Sequence, residues 1–134
     1  MRNNYTQMYI HCVWATWDRL PLVTADIKQQ IYAVIINECK KMKCTAIAIG
    51  GIEDHVHLLA GFPTTITIAS LAKQVKGSSS HCVNHVIRPN QFFKWQGSYG
   101  AFTVSHSGIN RVANYIRNQE DHHKQKSFIS HWEI

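Results

Sequence analysis

The sequence contains no C-x-x-C pair. Its four cysteines, Cys12, Cys39, Cys44 and Cys82, stand singly, which argues against a zinc ribbon. No secretory h-region precedes them, so they read as reduced core thiols of a cytoplasmic protein. No apolar run approaches the roughly 18–20 residues of a membrane span. Internal repeats and linkers are absent, and Ser78-Ser79-Ser80 is too short to count as low complexity. Charge is sparse at 16% of residues, and acidic residues are the scarcer sign, 8 against 14 Lys and Arg. The resulting +6 is concentrated in the second half, where residues 68–134 hold eight basic and three acidic side chains. A basic surface favours polyanions, because phosphate contacts release counterions.

What is present is a 45% apolar chain of 134 residues, the size of one domain spanning 1–134 and able to bury a core without staples. Tyr5 to Trp17 is aromatic and β-branched and predicts a strand. Thr24 is placed to cap a helix to about Lys43, with Ile27, Ile31, Val34 and Ile35 at helical spacing. Thr45–Ile52 and His55–Phe62, separated by Glu53-Asp54, predict a hairpin. Thr67 to about Val86 predicts a second helix, Arg88 to Gly100 a loop, and Ala101–Ser105 a fourth strand. Ser107 is placed to cap a last helix from Gly108 to His123. The order β-α-β-β-α-β-α predicts an α+β fold: a ferredoxin-like (RRM-like) core with an antiparallel sheet, plus a C-terminal helix. That fold hosts many functions, so the site must carry the functional argument.

Nine histidines make the chain worth searching for metal chemistry. His55-Val56-His57 lies inside a predicted strand, where side chains alternate, so both imidazoles share one face. Two neutral imidazoles side by side begin a metal site; equally, they fit as satisfied polar residues at a sheet edge. In the last helix, Ile109, Val112, Ala113 and Ile116 form a buried stripe. Tyr115 and Gln119, four residues apart, flank it together, with Arg111 and His122 on the same side. The bland reading is a tyrosine at the border of a core. The chemical one is a phenol nucleophile beside an amide ligand. With a pKa near 10, a phenol needs help at neutral pH, and a metal on the scissile phosphate supplies it. No Asp or Glu is evident in this set to serve as a base for hydrolysis.

These segments resemble the single-tyrosine HUH transposases of the insertion sequence 200/605 type. The resemblance runs through Gly51-Ile52-Glu53-Asp54-His55-Val56-His57-Leu58-Leu59, Lys76-Gly77-Ser78-Ser79-Ser80, the stretch Phe93 to Ser105, and Tyr115 to His123. His-hydrophobic-His alone is weak; followed about sixty residues later by Tyr-x-x-x-Gln it is specific. The resemblance implies that Tyr115 is the nucleophile and that His55, His57 and Gln119 hold Mg²⁺ or Mn²⁺. It implies cleavage and rejoining of single-stranded DNA through a 5′-phosphotyrosine, recognition of DNA hairpins at element ends, and a cytoplasmic homodimer that is nucleoid-associated when bound to DNA. In such a dimer one helix carries both Tyr115 and Gln119, and it can complete the other subunit's site. Gly97, Gly100 and Gly108 are candidate hinges or ordinary turn glycines.

Candidate DNA contacts are Lys73 and Lys76, with Ser80 and Asn84, on the second helix, and Arg111 and Arg117 beside Tyr115. Phe92, Phe93, Trp95 and Tyr99 suit either base stacking or the core. His81 and His85 read as surface or packing residues, and His11, His106 and His131 are uninformative. Three other readings compete: a nucleic-acid binding module of this fold without chemistry, a metal-dependent nuclease using water, and an inactive relative.

Overall fold

The structure is a computed structural model describing residues 5–124 and 132–133, so His131 lies outside the described residues. Four strands, β1 (Tyr9–Ala15), β2 (Thr45–Ile52), β3 (His55–Gly61) and β4 (Gly100–Val104), form one antiparallel sheet in the order β2-β3-β1-β4. Four helices accompany them: α1 (Lys28–Lys41), α2 (Ile68–Cys82), α3 (Ile109–Arg117) and α4 (Gln119–Lys124). The chain is thus α+β with the expected element order.

β1 and β3 are central and covered on both faces, which is why they read as nearly continuous apolar runs rather than alternating ones. One face carries Ile10, Cys12, Trp14, Val56, Leu58 and Ala60 and packs under α1 and α2, through Ile31, Ile35, Leu71 and Val75. The opposite face carries Ala48 and Leu59 under the stripe Val112, Ala113 and Ile116 of α3. His55 and His57 share this second face with Leu59.

Several predicted elements shrink at their ends for local reasons, while β2 keeps its bounds and β4 shifts to Gly100–Val104. α1 begins at Lys28, not after Thr24. Thr24 heads a preceding turn whose carbonyl accepts from the Ile27 and Lys28 amides (3.1 and 3.0 Å), and its hydroxyl goes to Asp26 instead of the helix. α2 does begin at Thr67, whose hydroxyl accepts from the Ser70 amide at 3.0 Å while the Ser70 hydroxyl faces the Thr67 amide. It runs into a wider turn at Val83–Ile87. α3 starts after a tight turn at His106–Gly108. Ser107 caps nothing, its hydroxyl lying against that of Ser105.

The last helix is not continuous. It breaks at Asn118, which leaves helical geometry (φ −106°, ψ 28°) and whose side-chain amide donates at 2.8 Å to the Asn114 carbonyl, the acceptor its backbone N–H also reaches at 3.1 Å. Gln119 therefore opens α4 while Tyr115 belongs to α3, which corrects the expectation of one shared helix. α3 crosses β2 closely because Gly50 offers no side chain: a Cβ there would stand 2.1 Å from the Ile116 carbonyl oxygen.

Candidate active site

His55 and His57 lie on β3 with side chains almost fully buried, and each is oriented through its Nδ1. The Asp54 carboxylate lies 2.8 Å from His55 Nδ1, and His11 Nε2 lies 2.8 Å from His57 Nδ1. Both arrangements leave Nε2 facing the same space, the orientation that carboxylate–histidine and histidine–histidine pairs give metal ligands. β1 places His11 through its antiparallel register with β3, in which Val13 faces His57 and His11 faces Leu59. Burial pushes the His11 imidazole down to about 3, so it stays neutral and serves as a hydrogen-bond partner.

Gln119 joins the first of the pair: its side-chain oxygen lies 3.0 Å from His55 Nε2 and 3.1 Å from His123 Nε2. Gln119 is only 1% exposed although it follows the helix break, because its amide nitrogen reaches back to the Tyr115 carbonyl at 3.4 Å. Tyr115 is 5% exposed. Its ring stacks on His122 (centroids 4.7 Å) and meets His57 edge-on at 5.8 Å. The phenol and the histidine pair therefore meet inside one chain. The expected flank of Tyr115, Gln119 and His122 holds across the break, and Arg111 lies over the Trp132 ring at 5.5 Å.

A carboxylate joins the set, overturning the expectation that none does. One Glu133 oxygen lies 3.2 Å from His55 Nε2 and 2.6 Å from His123 Nε2. The other lies 2.8 Å from His57 Nε2 and accepts from the Tyr115 hydroxyl at 3.2 Å. Burial alone would raise the Glu133 pKa; the His55 and His57 imidazoles beside the carboxylate outweigh it and hold the group ionised. Burial also lowers both imidazoles, but the partners of His55 (Glu133, Asp54 and Gln119) leave it raised, whereas His57 remains lowered. Despite its 2.8 Å neighbour, His57 Nε2 has no hydrogen bond of acceptable geometry. An orphaned buried imidazole nitrogen beside a second imidazole, an amide oxygen and a carboxylate fits a divalent metal ion.

Apart from Arg111 over Trp132, the candidate DNA contacts do not gather at this site. Lys73 is exposed on α2, the helix covering the other sheet face. Lys76 donates to the Gln96 and Ser98 carbonyls (2.6 and 3.2 Å) and holds the loop before β4. Arg117 donates to the Ile47 carbonyl at 3.1 Å on the β2 edge. Trp95 is core: it is 6% exposed, edge-on to Trp14 and Phe93, with its indole N–H donating to the Ser79 hydroxyl at 2.9 Å. Phe93 is buried with it, whereas Phe92 (58% exposed) and Tyr99 (37%) remain outside. His81 and His85 stack on one another (4.2 Å) at the end of α2.

Sequence reasoning missed His11, Asp54, His123 and Glu133. Asp54 was detectable as the acid next to the first histidine. His11 required the strand register, and Glu133 required the path of the chain after α4.

The fold is shared with solved proteins. A crystal structure from Deinococcus radiodurans R1, of a protein proposed to be a transposase, superposes with a TM-score of 0.69 at 24% identity, covering 89% of this chain and 95% of that one. A REP-associated tyrosine transposase bound to a REP hairpin superposes with a TM-score of 0.63 at 14% identity, covering 87% of this chain and 68% of that one. No curated protein matches the chain. A family model for IS200-like transposases matches residues 4–119, most of the chain, and the protein belongs to that family.

Proposed function

We propose that this transposase cuts and rejoins single-stranded DNA through a covalent 5′-phosphotyrosine at Tyr115, with a divalent ion, Mg²⁺ or Mn²⁺, held by His55, His57 and Gln119. The observation that carries the reading is the meeting of Tyr115 with His57 of the buried histidine pair, their rings 5.8 Å apart in one chain. When bound, the ion would draw charge from the scissile phosphate. The Tyr115 oxygen attacks phosphorus and loses its proton, which the departing 3′ oxygen regains in the balance of the reaction. An O–P bond to tyrosine forms, the bond to the 3′ oxygen breaks, and a 3′ hydroxyl is released. Because the phosphotyrosine keeps the bond energy, a later 3′ hydroxyl reseals the strand without another energy source. His11 and Asp54 hold the two imidazoles in the orientation this needs.

The DNA partner we propose is a single strand carrying hairpins at element ends; the related fold bound to a REP hairpin supports this. Lys73, Arg111 and the exposed Phe92 and Tyr99 are the surface groups available for it. Because one chain holds both the phenol and the histidines, a homodimer would serve to bring two ends together, each chain keeping its own site. Light scattering of the protein with and without a hairpin strand tests this.

The decisive experiment incubates the protein and Tyr115→Phe with end-labelled hairpin-bearing single strands and Mn²⁺, resolved on denaturing gels. A metal-dependent DNA–protein adduct in the wild type alone is expected, with DNA binding kept in Tyr115→Phe. Glu133 favours a second reading, since a carboxylate beside the site suits water-driven hydrolysis. Cleavage that survives Tyr115→Phe without an adduct would establish that reading instead.

A further inference from the structure

We infer that Glu133 is a ligand of the same ion, making the centre a four-residue site of His55, His57, Gln119 and Glu133; this rests on the metal reading above. Around an ion bound at roughly 2.1 Å, neighbouring donors stand about 3.0 Å apart. The donors here already have that spacing: Gln119 oxygen to His55 Nε2 is 3.0 Å, Glu133 to His55 Nε2 is 3.2 Å, and Glu133 to His57 Nε2 is 2.8 Å. His57 Nε2 is buried, aimed into the gap, and left without a well-formed hydrogen bond.

The carboxylate is held in place. Trp132, the residue before it, packs edge-on against Tyr115 at 5.0 Å and His11 at 5.4 Å, with the Arg111 guanidinium over its ring. His123 lies beside both Glu133 and Gln119 and steadies the two oxygens together.

Donor chemistry points the same way. Two imidazoles and one amide offer a single oxygen, a set as suited to Zn²⁺ as to harder ions. A carboxylate moves the set toward Mg²⁺ and Mn²⁺, which prefer oxygen. It also removes one unit of the ion's charge, so affinity for the ion rises while some pull on the phosphate is given up.

The test is Mn²⁺ binding without DNA, by titration calorimetry and by the Mn²⁺-induced rise in melting temperature, in wild type, His57→Ala, Glu133→Ala and Glu133→Gln. His57→Ala is expected to lose binding. Glu133→Ala should bind about tenfold more weakly or worse, and Glu133→Gln should fall between, keeping an oxygen but not the charge. Should Glu133→Ala melt early without metal, the isosteric Glu133→Gln carries the comparison. Wild-type affinity in both Glu133 variants, with loss in His57→Ala, overturns the inference and leaves the metal site standing. Faster adduct formation in those same variants would then mark the carboxylate as a plug over Tyr115. Unchanged binding in His57→Ala, or none in the wild type, overturns the metal reading and the inference together.

Discussion

Gly50→Ala is expected to damage the site from outside it. Gly50 lies opposite His57 in the β2–β3 ladder, on the sheet face that receives α3. A Cβ there would stand 2.1 Å from the Ile116 carbonyl oxygen and 3.4 Å from the Ile116 side chain. The offending atom is helix backbone, so no rotamer change relieves it, and α3 must retreat by about 1 Å to restore ordinary contact. Overpacking of this kind costs about 1–3 kcal/mol, or a melting temperature lower by about 3–10 °C. Tyr115 adjoins Ile116, so the phenol moves with the helix, and a misplacement of about 1 Å costs on the order of 10²-fold in rate. Gly77→Ala is the control. Nothing lies within 4 Å of a Cβ at Gly77, within α2, so alanine should stabilise the helix by up to about 1 kcal/mol. Thermal unfolding and single-turnover adduct formation read both variants. Gly50→Ala with an unchanged melting temperature and wild-type adduct formation would refute the close-approach argument.

Two further substitutions probe parts of the framework. His11 has its pKa lowered by burial to about 3, against about 6.5 unfolded. The unfolded chain therefore binds the extra proton first. Stability from this residue is intact above about pH 6.5 and drains away as pH falls toward 3, by up to about 5 kcal/mol. His11→Gln keeps an acceptor for His57 and should flatten the melting temperature against pH in that window in metal-free buffer; an unchanged slope would rule out a buried neutral His11. Trp95→Phe removes the indole N–H from the buried Ser79 hydroxyl and should cost about 1–2 kcal/mol, while DNA affinity of the folded protein stays within about twofold. A large selective loss of DNA binding would instead restore Trp95 as a stacking residue.

Legibility in the sequence followed the range of the interaction. Alternation along β3 was enough to place His55 and His57 on one face, and helical spacing was enough to set Val112, Ala113 and Ile116 against the sheet. The Thr67–Ser70 capping box was equally local. The break at Asn118 escaped because Asn114 and Asn118 both suit a helix surface, and their spacing does not mark which residue leaves helical geometry. Trp95 sits in a stretch with almost no regular structure, so no periodicity marks its buried face; its single bridge to Thr16 pulls it into the core. His11 lies in a strand buried on both faces, where alternation carries no signal. Its partner is set by the β1–β3 register, a long-range fact.

The elements divide the labour of the site. The two imidazoles stand on the most constrained strand pair of the molecule, each fixed by a buried or half-buried partner, so their Nε2 atoms share one orientation. Tyr115, Gln119, His123 and Glu133 come instead from chain that packs on one sheet face and changes direction at Asn118. Lys28 ties that chain to α1 through Glu120 at 2.7 Å, an exposed pair of modest strength. Tyr115 is buried beneath Trp132 and hydrogen-bonded to Glu133, so a phosphate reaches its oxygen when the Trp132 ring turns aside, with Glu133 left in place. Moving one ring while keeping the histidines fixed is the economical way to admit DNA. Hydrogen exchange on the DNA-bound protein should accordingly leave β1 and β3 protected.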